Sequence, residues 1–534
     1  MLDRGVSQLV WPDRYGCARG LSRCGHGASI RDCAVYAVSM LPYEELTPPE
    51  RELWDAFPEG RQVDLRAGTP SGDDPAGGAD WGPERTLRAA VVTVLARGGN
   101  AAPPGAVTAL RVAGARITGH LDLAGAEIDH MLWFEDCWFE EGPSLYGAAT
   151  RTIGIIGSRA PGMDATLARI EGTLNLQRSV LHGTVSLMRA RIAGELKLSK
   201  ATLSASDGWA LFAGGLVMEG GVFCRRGFTA HGGIRLLGAH LPGGLFMEGA
   251  RLDNPDGPAL LADNAVASTL VFSEGFTAQG AICLRGAQIS DQLTFDGAIL
   301  NGEDVALDCS RMQAGDVHFT PAAPPSGAVD LRGAQVTALH DGEGVWPRIV
   351  RLQGFSYASI QSRDGLRGYD ATRRVEWIRR EPGYAPQPYE QLASWYRQVG
   401  HEDDARRVLL AKQRHRRSTL HPAGRVWGHL LDALVGYGYR PWLAGVWIMA
   451  LTILGTVVFG AHSPKQAQPG QGPPFSALVY TLDLLIPIGG LGQRTAWYWP
   501  GGSTAQWLSY ALIAAGWLLT TAVVAGVTRS LNKS

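Results

Sequence analysis

One stretch near the carboxyl end combines an acid with a glycine loop, FSALVYTLDLLIPIGGLGQRTAWYWP. Its candidate functional residues are Asp483, Ile488, Gly489, Gly490, Leu491 and Gly492. Glycine-rich loops in ion pores turn backbone carbonyls toward the ion. An acid inside a bilayer is costly and often functional. The order apolar span, short helix, glycine loop, apolar span therefore makes 475–493 a candidate pore loop, although it lacks the hydroxyl and the aromatic of a potassium filter.

Two other interpretations of 475–493 stay open. The segment is either a structural re-entrant or interfacial piece, with the aromatic residues 497–499 at the lipid headgroups, or a third span. A third span would place Arg529 and Lys533 outside the cell. Positive residues are retained on the cytoplasmic side of membranes, and this rule favours the structural segment over the third span.

Other chemistry is hard to find in the chain. The fingerprints of dinucleotide, nucleotide and zinc-protease sites and of a nucleophile elbow are missing from the sequence. The thirteen histidines are scattered and predict no metal site. The seven cysteines form no C-x-x-C pair and predict free, mostly buried thiols: Cys17, Cys24, Cys33, Cys137, Cys224, Cys283 and Cys309. Catalytic residues and cofactors are therefore unknown from the sequence.

Composition narrows the class of protein. The chain has 534 residues, 69 glycines, 45% apolar residues and a net charge of −1. Collagen periodicity is missing, the charge is too low for a disordered chain, and a basic footprint for nucleic acid is lacking. The remaining expectation is a repeat protein with many tight corners and no nucleic-acid partner.

The elements that position any site come from a repeat, G-x-h-x-h-x-x-[A/S]-x-h, where h is aliphatic. Three copies follow one another in GTLNLQRSVLHGTVSLMRARIAGELKLSKATL at residues 172–203. Aliphatic residues at i and i+2 predict a short strand with one buried face. Such strands are too small to be stable alone and must stack on copies of themselves. Two eleven-residue units give about 22 residues, close to one turn of a four-sided parallel coil.

The predicted coil covers 108–360 and exposes the residue between each aliphatic pair. We assign these residues to one wall: Asp122, Asn175, Ser186, Lys197, Arg235, Phe246, Cys283, Thr294, His318 and Asp330. They form neither a carboxylate stripe nor an arginine–aromatic stripe. The wall is either simply solvated or binds another protein.

The step of five residues between aliphatic pairs resembles pentapeptide-repeat proteins, whose fold is a right-handed quadrilateral β-helix. Four segments, LTPPERELWDAF, ALRVAGARITGHLDLAGAEI, PYEQLASWYRQVG and GYGYRPWLAG, resemble actinobacterial membrane proteins labelled membrane-associated oxidoreductases. That resemblance covers most of the chain from Met40 onward. It implies the architecture and an oxidoreductase label, but it brings no catalytic motif.

After the repeat, 386–440 predicts a helical hairpin and a basic juxtamembrane segment. The hairpin would cap the open end of the coil, which otherwise exposes unpaired strand edges. Its second helix ends in a basic cluster expected to contact lipid headgroups: Lys412, Arg414, Arg416 and Arg417.

Two charge-free stretches, 442–461 and 505–528, are each long enough to cross a hydrocarbon core of ~30 Å. Basic residues flank the pair on its outer sides, at Arg440 and Arg529, more densely than in the connection. The positive-inside rule then predicts both termini and the coil in the cytoplasm.

The predicted organisation is as follows: 1–39, an extension preceding a natural start at Met40; 40–107, a helical cap; 108–360, the coil; 361–385, a linker; 386–440, the hairpin; and 441–534, the membrane region. The expected function is a membrane-anchored binding or scaffolding module, with the bilayer and another protein as partners. An ion-channel-like protein, which would require a homo-oligomer, is the alternative, and a membrane-associated oxidoreductase is the second alternative.

Overall fold

The structure is a computed structural model that describes residues 42–101, 105–362, 370–438, 442–468, 472–486 and 490–531. The extension predicted for 1–39 lies outside these residues. The chain divides into two units, Met1–His182 and Gly183–Ser534. Each contains part of a parallel β-solenoid, about eleven turns in all, and helices follow the solenoid in the second unit.

The first unit contains helices α1 (Pro48–Ala56) and α2 (Ala89–Ala96). Its strands are β1 Val63–Asp64, β2 Thr86–Arg88, β3 Ala109–Ala113, β4 Arg116–Thr118, β5 Glu127–Ile128, β6 Met131–Glu135, β7 Trp138–Phe139, β8 Ala149–Thr150, β9 Ile153–Ile156, β10 Arg159–Ala160, β11 Met163–Asp164, β12 Arg169–Ile170, β13 Leu174–Asn175 and β14 Val180–His182. Strand β1 pairs in parallel with β3, and β2 with β4. The solenoid therefore begins inside the segment 40–107, which the sequence predicts as a helical cap.

Glu50 joins α1 to the first coil. Its buried carboxylate accepts the backbone N–H of Thr47, the residue that precedes α1, at 2.9 Å, as the carboxylate of a capping box does. The same carboxylate accepts the backbone and guanidinium N–H groups of Arg88 at 2.6–2.9 Å. A capping carboxylate thus also fixes the helix against β2.

The second unit continues the coil with longer strands. These are β15 Val185–Ser186, β16 Arg191–Ile192, β17 Leu196–Lys197, β18 Thr202–Phe212, β19 Val217–Met218, β20 Val222–Phe223, β21 Thr229–Arg235, β22 His240–Leu241, β23 Leu245–Phe246, β24 Arg251–Leu261, β25 Val266–Val271, β26 Thr277–Cys283, β27 Gln288–Thr294, β28 Ile299–Asn301, β29 Val305–Asp308, β30 Gln313–Phe319, β31 Ala328–Asp330, β32 Gln335–Asp341, β33 Val350–Arg351 and β34 Ser356–Ser362. Within this unit they form two parallel sheets: β16, β17, β19, β20, β22, β23, β25, β27, β30, β32 and β34 in the first, and β15, β18, β21, β24, β26, β28, β29, β31 and β33 in the second.

The corners of the coil depend on a left-handed residue just before the small Ala of each repeat. Glycine takes this position at Gly238 and Gly286, with φ near +60°. Arg189 and Lys200 adopt the same conformation elsewhere. A residue with a side chain is strained in this conformation, so glycine adopts it at a lower conformational energy.

An aromatic stack and a helix close the end of the coil. Inside it, Phe272, Phe295, Phe319 and Trp346 follow one another with ring centroids 4.4–6.0 Å apart. Helix α3 (Ala371–Ile378) then covers the stack with its buried Trp377. The segment 361–385, predicted as a linker, thus contains a capping helix, because the apolar side chains of α3 are buried at the open coil end.

Helices α4 (Gln387–Gln398), α5 (Glu402–Ser418) and α6 (Pro422–Val435) follow, and α4 and α5 are the two helices of the predicted hairpin. Helix α4 is tied to the last coil by Gln387 and Gln391, whose side-chain amides donate to the carbonyls of Phe355 (2.9 Å) and Tyr357 (2.7 Å).

The carboxyl-terminal region, predicted from the sequence as the membrane region, contains α7 (Trp442–Gly460), α8 (Ala477–Leu485), α9 (Gln493–Ala496) and α10 (Thr504–Leu531). Of the residues that the structure describes, α7 alone is a helix both long and apolar enough to cross a bilayer by length and composition. Two short strands, β35 (Lys465–Gln466) and β36 (Trp497–Tyr498), pair antiparallel. This pairing brings the two ends of the α7–α10 connection together. The nine residues of α8 rise about 14 Å, which is too short for the third span considered above.

Candidate functional site

The single exposed wall predicted from the sequence is, in the second unit, two walls. Lys197, Phe246 and His318 lie on the first sheet, whereas Arg235 and Cys283 lie on the second. The physical reason is the repeat itself. Residues eleven positions apart are half a coil apart and cannot face the same way, whereas residues about 22 apart stack in one column.

Two columns in register follow the outward side of the first sheet, and all of their members except the buried Thr294 are at least partly exposed. We name them the histidine column (Lys197, Phe223, Phe246, Val271, Thr294, His318, His340 and Gln361) and the glutamine column (His240, Val266, Gln288, Gln313, Gln335 and Ser356). An open groove of about 950 Å³ follows the glutamine column. Gln391 of α4 contributes to its lining. The groove offers amides and hydroxyls rather than charges.

Three side chains of types that can ligate a metal meet at the histidine column, two from the column itself and one beside it. Asp316 and His318 lie two residues apart on β30 and point outward, and His340 is the register partner of His318 on β32. One ligand atom from each of the three lies within 4.8 Å of the others. The imidazoles stack with centroids 4.2 Å apart. Burial and the neighbouring His318 lower the pKa of His340, so its imidazole is neutral near pH 7.

Near the other end of this column Phe223 and Phe246 stack at 5.2 Å. The Arg225 guanidinium lies 4.9 and 4.7 Å from their ring centres and bonds Glu248 at 2.8 Å. The Arg225 cation is therefore held against the two rings by cation–π attraction and by its ion pair with Glu248.

The second sheet carries charges that are already paired. The buried carboxylate of Asp330 bonds Arg332 at 2.6 Å and Arg351 at 3.2 Å. Burial alone would raise the pKa of Asp330, but the hydrogen bonds from both arginines outweigh it and lower the pKa. Arg351 lies on the neighbouring strand, so its ion pair with Asp330 joins successive coils.

The cysteines are free thiols where the structure describes them, as the sequence predicts. Cys137, Cys224 and Cys309 are buried, and Cys283 is partly exposed. Burial raises the pKa of Cys283 to about 11. A thiol with such a pKa is a poor nucleophile at pH 7. Cys17, Cys24 and Cys33 lie outside the described residues.

In the candidate pore loop, Asp483 on α8 is buried and faces the protein. Its carboxylate accepts the backbone N–H groups of Leu491 at 2.7 Å and Arg494 at 2.8 Å. Gly492 has φ +79°, a conformation that favours glycine. Asp483 thus orders the loop containing Gly490, while Ile488 and Gly489 lie outside the described residues.

The basic cluster at the end of α5 is mostly paired within the chain. Lys412 bonds Glu390, and Arg414 and Arg417 bond Asp432 of α6 at 3.0 and 3.2 Å. Arg416 is exposed. The expected headgroup contacts of the other three thus compete with ion pairs, because α4 and α6 place carboxylates beside them.

Sequence reasoning missed the cluster of Asp316, His318 and His340, although it placed His318 on an outward position. The available signal was spacing: His340 follows His318 by 22 residues, one full coil. Comparison of the chain with protein-family models, with curated proteins and with solved structures gives no match.

Proposed function

We propose that this protein is a membrane-anchored cytoplasmic scaffold, in which the terminal helices lie in the bilayer and the solenoid binds another protein. The observation that carries this proposal is exposed apolar surface on α7. Ile453 and Val457, for example, are 60% and 65% exposed. Apolar surface on this scale marks a membrane or partner interface.

Helix α10 supports a second span, since Trp507 and Trp517 are exposed on it to 70% and 59%. Trp442 and Trp507 lie near one end of their helices, at the depth typical of interfacial anchors. The positive-inside rule then assigns both termini and the solenoid to the cytoplasm. A right-handed coil belongs to the same proposal, because parallel crossovers are nearly always right-handed.

The helices between coil and membrane favour fixed coupling over a free tether. Gln387 and Gln391 bond α4 to the last coil, and Asp432 bonds the end of α5 to α6. On α7, Trp447 donates its indole N–H to the carbonyl of Ala433 on α6 at 3.0 Å. A scaffold held in this way presents its walls at a defined distance from the lipid.

Membrane anchoring and orientation are tested together by cysteine labelling. A membrane-impermeant maleimide is expected to label Lys465→Cys in intact cells, but to label Thr337→Cys only after lysis. The parent chain carries serine at Cys17, Cys24, Cys33 and Cys283, and it serves as the unlabelled control. Labelling of Thr337→Cys in intact cells would contradict a cytoplasmic solenoid, and recovery of the chain in an alkaline carbonate supernatant would contradict anchoring.

The second candidate function is an ion pore, favoured by the short helix α8 packed between α7 and α10. Purified protein in planar bilayers would then show cation currents that Gly490→Pro abolishes. Silence at all voltages would remove this candidate. An oxidoreductase remains the third candidate, and it requires a visible flavin or haem spectrum or nicotinamide turnover in the purified protein.

A further inference from the structure

We propose that Asp316, His318 and His340 form a binding site for one divalent transition-metal ion of the zinc class. The cluster consists of two imidazoles and one carboxylate from adjacent coils. This inference does not depend on the membrane proposal.

The donor set is the first argument. Imidazole nitrogens with a carboxylate oxygen suit zinc and its neighbours, whereas magnesium and calcium prefer oxygen donors. Three protein ligands also leave at least one position for water or for an incoming group. The exposed side of the first sheet gives that position access to solvent, because Asp316 is exposed and both histidines are partly exposed.

The geometry is the second argument. Zinc-bound nitrogen and oxygen atoms lie about 2.0–2.2 Å from the ion, and hence roughly 3.4 Å from one another in a tetrahedron. The three donors already lie within 4.8 Å. Rotation of the terminal torsions, which are broad for His and Asp, brings them together. The stacked imidazoles must splay for both lone pairs to meet at one ion.

The coil builds this site through its register. His318 and His340 are direct partners on neighbouring strands, and Asp316 is paired with Ala338. Since alanine carries no side chain beyond Cβ, Asp316 has room to lean along the wall. Asp296 lies close by, with its carboxylate 3.9 Å from Nδ1 of His318. That carboxylate accepts the Thr320 hydroxyl, and it adds a negative charge near the cluster that favours a bound cation.

An ion at this position would bridge two successive coils near the carboxyl end of the solenoid. Bound metal that contacts only the folded state stabilises it by mass action. Its open position would accept a water molecule or a ligand atom from a partner docked on the same wall. The histidine column would then bind a partner through a ligand atom that replaces the metal-bound water molecule.

The test uses the untagged full chain in detergent, stripped with a chelator and titrated with Co²⁺ and then Zn²⁺. We expect one Co²⁺ per chain with visible d–d bands, displaced by Zn²⁺ and untouched by Mg²⁺. His340→Ala and Asp316→Asn are expected to weaken Zn²⁺ affinity by more than the ~10–100-fold that loss of a second-shell partner costs. Zn²⁺ is also expected to raise the melting temperature of the parent chain but not of His340→Ala.

The matched control is His231→Ala, which removes an imidazole 3.4 Å from Asp253 on the second sheet. This variant has one histidine fewer but keeps the cluster, so its Zn²⁺ affinity should equal that of the parent chain. Equal affinity in all variants, or no stoichiometric binding by the parent chain, would overturn the site. If His340→Ala fails to fold, the Zn²⁺ affinity of Asp316→Asn alone tests the site. This variant is expected to fold, because Asp316 is exposed and asparagine is nearly isosteric with aspartate.

Discussion

The second unit contains two apolar regions. One buries its apolar side chains inside the chain, and the other exposes them on its surface. Inside the coil, aromatic side chains such as Phe295 and Phe319 are fully buried. On α7 and α10, aliphatic and tryptophan side chains point outward, as Val457 and Trp507 do. The hydrophobic effect drives the first arrangement, whereas the second leaves apolar side chains uncovered by the chain itself. The contrast separates a core made by folding from an apolar surface that we propose to be covered by lipid.

The largest effect is expected from truncating the aromatic stack in the coil. Phe295→Ala removes a ring that stacks on Phe272 at 5.2 Å and meets Phe319 at 6.0 Å. Its loss should cost about 3–5 kcal/mol of unfolding free energy. Denaturant unfolding of the detergent-solubilised chain, followed by the circular dichroism of the strands, measures it.

Val457→Ala is the counterpart on α7. If α7 lies in the bilayer as proposed, this side chain contacts detergent or lipid both before and after the coil unfolds, so the unfolding transition of the coil should not shift. A loss like that of Phe295→Ala would show that Val457 belongs to a protein core, and the contrast between the two regions would fail.

A somewhat smaller loss is expected at the buried ion pair that closes the coil. Arg374 bonds Asp341 at 2.7 and 2.9 Å with both side chains buried. Arg374→Met leaves the carboxylate with the Trp346 N–H, at a cost of about 3–4 kcal/mol. The neighbouring Arg373→Met breaks an exposed pair with Glu343 and should cost under about 1 kcal/mol. Equal melting shifts for the two variants would contradict this account of the cap.

The smallest effect is expected where helices cross in the membrane region. A Cβ on Gly516 would lie 2.3 Å from the carbonyl oxygen of Leu485, so Gly516→Ala should force α8 and α10 apart. Overpacking of this kind costs about 1–3 kcal/mol. Gly445→Ala on α7 meets nothing within 4 Å and should be neutral or slightly stabilising. Thermal unfolding in detergent micelles compares the stability of the two variants. A loss of stability in Gly445→Ala but not in Gly516→Ala would contradict this packing of α8 against α10.

The coil and its half-turn period could be predicted from the sequence because they depend on local periodicity, and the apolar helices because they are long charge-free stretches. It misplaced the start of the coil, since β1 and β2 lack the full repeat, and it read α3 as a linker, since burial of Trp377 is a tertiary effect. The structure adds a recurrent corner before the alanine, where Arg189 takes the place of glycine.

In the candidate sites, too, local patterns were predictable from the sequence and tertiary contacts were not. The short helix and the loop at Gly490 and Gly492 were visible as a pattern, but the inward turn of the Asp483 carboxylate depends on the fold of the loop. The cluster of His318 and His340 could be found only by stepping one whole coil along the sequence. The sequence analysis assigned positions half a coil apart to one wall, and for this reason the cluster was missed.

The most direct measurement asks where Val457 and Thr337 lie in reconstituted liposomes. Each is replaced by a spin-labelled cysteine in the chain that lacks Cys17, Cys24, Cys33 and Cys283. If α7 crosses the bilayer, relaxation at position 457 will respond to oxygen and not to a water-soluble nickel chelate, and position 337 will respond to the chelate. A label at 457 that the chelate reaches as readily as the label at 337 would contradict the proposed anchor.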